Sequence, residues 1–540
     1  MKKNYVLSLV MVVGLSFIAA SGSTMQDNNS KGIRNLEFSE QTTPILTVPD
    51  LKVDGNSLDF GVTANGLSSA TQSILIHNMG GGTTMSWTIN TTAPWLDCAP
   101  KSGTNFGVVN ISLCSLSSLA IGTNTATISV IAPGAANSPQ TVTVTATLYT
   151  VNSPDSPIGT FDTPIEASAI CGAAPFTGWA LDLIGVESVK IYRIDGSSRI
   201  YTGDGLFVDG ARADVEAAYP GYPNNHKAGW GYLMLTNVFP DGPYVFEAYA
   251  TDVEGNVVNL GTKNVTISNS TCDKPFGTID VPCPGCSISG IYNVMGWILA
   301  KPFNQIDPTS LKMYIDGIPC AGTPAYGNYR LDILSIFPPG IYLDANNPGF
   351  SMSLNSTDFS NGIHTIAVVA ADNAGNTNGI GSRYFNIRNL GTCFSKPGIS
   401  NQPQYLHPTA EIMEIPVKYK EPIGYQNGFR EDSETQLVEA DKSGHIIVQS
   451  KELERIEVRL NPYGDSNRNR YFGYHIIGRH LMPLPIGSTL DTEKGIFYWL
   501  PGPGFIGTYR FVFGQEKQNG ELSKKLVTVK ILPRFTEKNH

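Results

Sequence analysis

Two stretches of this 540-residue chain, about 120 residues apart, carry the same landmarks in the same order. Such a period marks a duplicated structural unit, and it limits the fold more than any other feature of the sequence. Pro157-Ile-Gly-Thr-Phe-Asp162 recurs as Pro275-Phe-Gly-Thr-Ile-Asp280, and Gly178-Trp179 recurs as Gly296-Trp297. Val189-Lys-Ile-Tyr192 with Asp195-Gly196 recurs as Leu311-Lys-Met-Tyr314 with Asp316-Gly317, and Arg212 and Asp214 match Arg330 and Asp332. Gly229-Trp230 answers Gly349-Phe350, the Asp252 to Asn256 segment answers Asp372 to Asn376, and Asn269 with Cys272 answers Asn389 with Cys393. Between these points, Tyr244–Ala250 and His364–Ala370 alternate or run apolar between Gly, Pro, Asn or Asp, which is the pattern of strands and turns. With 55 Gly, 35 Pro and only 15% charged residues, the chain favours strands over long helices throughout.

Each repeat is therefore expected to be a β-sandwich of immunoglobulin size, the first over 153–272 and the second over 273–395. Ahead of them, residues 45–152 form another β-rich block, in which Thr125–Ile131 and Thr141–Leu148 alternate Val or Ile with Thr at a period of two. Residues 396–540 change composition: the segment after 400 holds 18 of the 37 basic and 17 of the 46 acidic residues, so it is a separate domain. The predicted class is all-β, tandem immunoglobulin-like sandwiches following a cleaved signal peptide.

Three of these blocks resemble known modules. Leu58-Asp-Phe-Gly61, Ser73–Asn78 followed by Gly80–Gly82, Trp87, Trp95-Leu96, Pro100-Lys-Ser-Gly103, Ala120-Ile-Gly122 and Asn137–Val142 resemble the BACON module, a bacterial immunoglobulin-like domain often attached to secreted enzymes. That resemblance implies glycan or mucin contact but transfers no binding residue. Gly178-Trp-Ala-Leu-Asp182 and the Asp-x-x-Gly-Asn endings look like bacterial immunoglobulin-like repeats. Leu484–Leu490, Gly495–Trp499, Pro501-Gly-Pro-Gly504 and Gly507–Tyr509 resemble the immunoglobulin or cadherin-like module of bacterial surface proteins.

The N-terminus points to export. Lys2 and Lys3, the apolar run Val6–Ala20 and the small residues to Gly22 read as a signal peptide over 1–22, followed by a linker over 23–44. No later run is long and apolar enough for a transmembrane span, so the mature chain is expected to be secreted or held at the cell surface. Eight cysteines in an exported protein are read first as disulfides. Cys98 and Cys114 share one block; Cys171 pairs with Cys272, and Cys283 or Cys286 with Cys393, while Cys320 leaves three pairings open in the second repeat.

A net charge of −9 argues against a nucleic-acid partner. The sequence contains no nucleophile elbow, zinc-protease motif, phosphate loop or dinucleotide fingerprint, so the chain is read as a non-enzyme. No cofactor is required, and Ca²⁺ is the best ligand candidate. Asp252, Glu254 and Asn256, with Asp372, Asn373 and Asn376 in the second repeat, place hard oxygen ligands in Gly-containing loops, although a simple Asp-capped turn is the preferred reading. For glycans, the exposed-aromatic candidates are Tyr219 and Tyr222 in a Pro-rich tract ending at Trp230, and Phe337 to Tyr342 in the second repeat. Trp87, Trp179, Trp297 and Trp499 read as core. The expectation is a rod of sandwiches acting in adhesion, in binding an extracellular glycan or surface polymer, or as a scaffold for another surface protein. The rival is an accessory subunit of a secreted glycosidase or protease system.

Overall fold

The computed structural model describes residues 48–540 apart from 55–56, 79–83, 136, 151–155, 390–398, 401–411, 413, 419, 430–433, 465–468 and 537–540. The signal peptide, the linker to residue 44 and Cys393 lie outside the described residues. The described chain is 54% strand and 7% helix, as its alternating pattern requires.

Four sets of sheets follow one another along the chain. In the first, Leu51–Asp54, Gln72–Asn78, Gly107–Leu113 and Leu96–Ala99 form one layer, and Ser57–Thr63, Gln140–Tyr149, Gly122–Ile131, Ser86–Thr91 and Ser102–Thr104 form the other. Each later set keeps one device of the first: a short early strand runs parallel to the last strand. Ser57–Thr63 pairs with Gln140–Tyr149, Ala169–Ile170 with Val257–Ile267, Ser287–Ile288 with Thr377–Ile387, and His445–Lys451 with Leu522–Leu532. The edge of the last strand is thereby covered within its own domain.

The duplication is preserved to the register. Thr160 sits opposite Trp179 and Trp179 opposite Gly229; Thr278 sits opposite Trp297 and Trp297 opposite Gly349. The repeated glycine has a steric cause. A Cβ on Gly178 would meet the Thr160 carbonyl and the Trp230 ring, and one on Gly296 would meet the Thr278 carbonyl and the Phe350 ring. Trp230 and Phe350 are thus equivalent core residues, both fully buried. Trp87, Trp297 and Trp499 are buried as well, and Trp179 is half-buried.

The expected rod is not what forms: Leu46–His540 is one compact unit. The C-terminal domain packs on both repeats, and its core includes Val208, Ala211 and Ala213 of the first repeat and Tyr384 of the second. Tyr509 donates its hydroxyl to the Ala211 carbonyl, and Tyr384 donates to the Pro503 carbonyl at 3.0 Å. Arg455 Nε donates to the Gly317 carbonyl at 2.6 Å. Between the first two domains, Ser69 Oγ donates to the Ile184 carbonyl at 2.5 Å. The apolar contacts at these junctions supply the driving force for that packing.

Two cysteine expectations change. Cys171 and Cys272 are bonded, but Cys283 bonds Cys286, its neighbour three residues on, in place of a long-range partner. Cys98 and Cys114 are free, as is Cys320. Cys98 lies in a strand whose pairing sets it opposite Ile111 with its side chain buried in the core, whereas Cys114 lies beyond the end of the facing strand and donates to the Pro94 carbonyl at 3.4 Å.

Candidate functional site

In the first repeat, the strand Ser198–Phe207 is followed by a flap that crosses the outside of the sheet before the strand Gly229–Leu235 begins. Arg212 anchors its start. Its guanidinium bonds Asp162 and takes Asp214 in a two-pronged pair at 2.8 and 2.7 Å, a planar geometry that arginine satisfies and lysine does not. A short helix, Ala213–Ala218, follows, and Asn225 Nδ2 ties the flap to itself through the Tyr219 and Glu216 carbonyls at 3.0 and 3.3 Å.

Beneath the flap is a small apolar cluster separate from the sandwich core. Leu181, Val215 and Ala228 are its buried centre, with Ile158, Trp179, Tyr219 and Tyr222 around them. The Trp179 and Tyr219 rings lie 5.3 Å apart, and Tyr219 and Tyr222 meet edge to face at 5.9 Å. Each of these three aromatics is half-buried, so each keeps part of its ring for contact. The duplicated position in the second repeat has the same construction, with Phe276, Trp297 and Leu299 packed against Ile333 and Phe337 of a flap of similar length, and Tyr342 beside them.

Polar groups border the aromatic flap. His226 Nε2 lies 4.0 Å from Asp209 Oδ2, and burial holds its imidazole below the ordinary value, favouring the neutral ring. Burial, reinforced by Asp209, pushes the Glu216 carboxyl up to about 7. Burial raises the Asp59 carboxyl of the first domain, and a hydrogen bond from Thr145 and then the charge of His226 lower it in part. The arrangement offers ring faces with hydrogen-bonding groups beside them at a domain junction, which suits a polyhydroxylated ligand.

Of the aromatics predicted to bind, Tyr219 and Tyr222 stand on the flap, but Trp230 does not. Its ring is fully buried against Phe161, 5.7 Å away, because its strand position turns it into the sandwich. Trp179, half-buried, lies next to the Tyr219 ring. Sequence reasoning set Trp179 aside as core and missed Asp209 and Glu216. The only available signal was the Tyr-Pro tract itself, since Asp209 reaches His226 only through the fold.

The two acidic loops are closed by their own amides. Asp252 accepts from the Asn256 N–H at 2.8 Å and from Asn256 Nδ2 at 2.9 Å; Asp372 accepts from the Asn376 N–H and Nδ2, both at 2.9 Å, and from Asn304 Nδ2 at 2.7 Å. Both carboxylates are buried in these turns, and Asn373 is exposed with its side chain toward the Gln305 N–H. Glu254 stands half-buried beside Asp252, its carboxyl raised by burial and then by Asp252 and Asp182. Among the described residues no three acidic, histidine or cysteine side chains are grouped to hold a metal ion. Among them, too, no helix is long and apolar enough to cross a membrane.

No sequence family and no curated protein matches the chain. Among solved structures, it is similar to the fibronectin(III)-like modules of Clostridium thermocellum CbhA at 12% identity, covering 44% of this chain and 100% of that one with a TM-score of 0.15. It is similar to Sidekick-1 immunoglobulin domains 1–4 at 9% identity, covering 90% and 99% with a TM-score of 0.20. It is also similar to the N-terminal eight Ig domains of Down Syndrome Cell Adhesion Molecule at 11% identity, where it spans 55% of that chain with a TM-score of 0.17. Likenesses at this level carry nothing about ligand or partner.

Proposed function

We propose that this is an exported, non-catalytic binding protein of the cell exterior, whose immunoglobulin-like domains hold one aromatic flap at the junction of the first domain and the first repeat. The ligand class is an extracellular glycan or surface polymer. The observation that carries the reading is the half-buried Tyr219 and Tyr222 of a braced flap over Trp179 of the strand beneath, with Asp209, Glu216 and His226 on the same flap. Ring faces stack on sugar C–H surfaces while the carboxylates and imidazole meet hydroxyls. The Arg212 fork and the disulfide Cys171–Cys272 support the flap's domain without taking part in contact.

Binding of the mature protein to soluble glycans and cell-wall polymers, beside Tyr222→Ala and Tyr219→Ala variants, tests this reading. Saturable binding weakened about tenfold or more in the variants, with unchanged melting, is expected for loss of aromatic contacts. Absence of binding across the panel, or binding indifferent to both tyrosines, overturns it.

A further inference from the structure

The two repeats make one turn twice, and only one copy carries sulfur. Ile165, Ala167 and Ser168 of the first repeat stand where the second has Cys283, Gly285 and Cys286. The Ser168 N–H donates to the Ile165 carbonyl at 3.2 Å, and the Cys286 N–H to the Cys283 carbonyl at 3.0 Å. Ala167 has φ 60 and Gly285 φ 74, both left-handed. Each turn is also tied to the last strand of its own repeat. The Ala167 N–H donates to the Asn264 carbonyl and the Thr266 N–H to the Ser168 carbonyl, at 2.8 and 3.0 Å. In the second repeat the Gly285 N–H donates to the Tyr384 carbonyl and the Asn386 N–H to the Cys286 carbonyl, both at 2.8 Å.

The bridge Cys283–Cys286 is therefore not what shapes this turn. In the first repeat, Ser168 Oγ donates to the Ile165 carbonyl at 2.7 Å, and Glu166 accepts from both nitrogens of Asn264 at 2.9 and 2.8 Å. In the second, Pro284 and Gly285 replace those braces, since proline presets the first central position of a turn and glycine takes the positive φ of the next. A bridge across three positions also removes little freedom from the unfolded chain. The long-range pin Cys171–Cys272 is not repeated at its place, because Ser289 stands where Cys171 would. The two sulfurs of the turn are unequally placed: Cys283 is exposed, with Pro284 and Gly285, and Cys286 is half-buried. Arg383 Nη1 donates to the carbonyl of Pro282, the residue before Cys283, at 3.3 Å. A guanidinium thus stands at the base of the turn, where positive charge favours a thiolate over a thiol.

We propose that Cys283–Cys286 is a thiol–disulfide exchange site whose co-reactant is a dithiol. A thiolate of the dithiol attacks Cys283 Sγ, the exposed sulfur; the Cys283–Cys286 bond breaks and Cys286 leaves as a thiolate. The second thiol of the reagent, deprotonated, attacks its partner sulfur in the mixed disulfide and releases Cys283 as a thiolate. The dithiol ends as a disulfide, the bridge has gained two electrons, and the dithiol's two protons pass to Cys283 and Cys286. The backbone hydrogen bonds of the turn use no sulfur, so they hold the two thiols side by side for the reverse reaction. An exposed disulfide that holds little structure is the labile kind. This inference is independent of the glycan reading, which rests on the flap of the first repeat.

Graded reduction of the native full chain tests it, with maleimide trapping and peptide mass mapping. One arm uses dithiothreitol and the other a reduced protein dithiol, thioredoxin; opening by either supports the site, and the faster arm identifies its source. Cys283 and Cys286 are expected to be labelled together at a reductant concentration at least about tenfold below that which opens Cys171–Cys272. With Cys286→Ser, Cys283 is expected to take up glutathione from its disulfide at least about tenfold faster than Cys286 does in Cys283→Ser. The double variant Cys283→Ser, Cys286→Ser is expected to melt with wild type. A bridge that opens only together with Cys171–Cys272, a bond from either cysteine to Cys393 in the native protein, equal uptake by the two single variants, or a double variant that melts as low as Cys171→Ser with Cys272→Ser overturns the proposal.

Discussion

Thr163 of the first repeat donates its hydroxyl at 3.0 Å to the carboxyl of Glu452, 289 residues further along the chain in the C-terminal domain. Thr177 donates to the same oxygen at 3.3 Å and the Arg534 N–H to the other at 3.0 Å. Arg534 in turn reaches Asn378 of the second repeat at 3.2 Å. Three domains therefore meet around one buried acid.

Burial pushes the Glu452 carboxyl from 4.5 up to about 7, its hydrogen bonds and Arg534 offsetting only part of the desolvation. A raised carboxyl favours the folded state while protonated. Its contribution is thus fully present below pH 4.5 and is lost as pH rises through 7. At about 1.4 kcal/mol per pKa unit this is about 3 kcal/mol. Glu452→Gln, which keeps the shape without the charge, is expected to match wild type at pH 5 and exceed it at pH 8 in urea unfolding. A variant less stable at pH 8 would refute the assignment. Glu216 shifts in the same direction, so the readout is the difference between variant and wild type.

Trp230 is predicted to act on stability and not on ligand binding. Truncation to alanine removes a buried ring and is expected to cost about 3–5 kcal/mol. Trp230→Phe is expected to lose far less, because Phe350 fills the equivalent place in the second repeat. Chemical denaturation of the three proteins measures this, and equal losses for Ala and Phe would contradict it.

Thiol chemistry should separate the cysteines. Cys114 is half-exposed, whereas Cys98 is buried and its thiol is raised to about 11 by burial and then Asp97. Alkylation of the native protein at pH 8, read by peptide mass mapping, is expected to mark Cys114 well before Cys98. The Cys171–Cys272 bridge closes a separation of 101 residues, so Cys171→Ser with Cys272→Ser should destabilise by about 2–5 kcal/mol. The Cys283–Cys286 bridge closes three and should contribute less.

Docking of the C-terminal domain is predicted to depend on the absence of a side chain at Gly231. A Cβ there would meet the Pro503 and Gly504 backbone. Gly231→Val should loosen that contact, seen as a larger radius of gyration by X-ray scattering and new proteolytic cuts between the domains. An unchanged radius would show that the contact yields without separating.

Much of this architecture could be read along the chain because it is local or periodic. Alternation predicts strands, and the repeat of Gly178-Trp179 at Gly296-Trp297 reflects one steric demand met twice: a glycine that makes room for the facing core ring. The Arg212 and Arg330 forks were visible only as matched positions, since their Asp162 and Asp280 partners lie fifty residues earlier.

The sequence alone determined the all-β class, the duplication and the Cys171–Cys272 pair, because strand patterning, period and equivalent cysteines are properties of order along the chain. Only the tertiary structure decided which aromatic faces inward, that Cys98 and Cys114 stay apart, and that the domains fold back on one another. These outcomes depend on strand register and on which surfaces meet. A one-residue change of register exchanges core for solvent, and contacts between residues hundreds of positions apart leave no local signal.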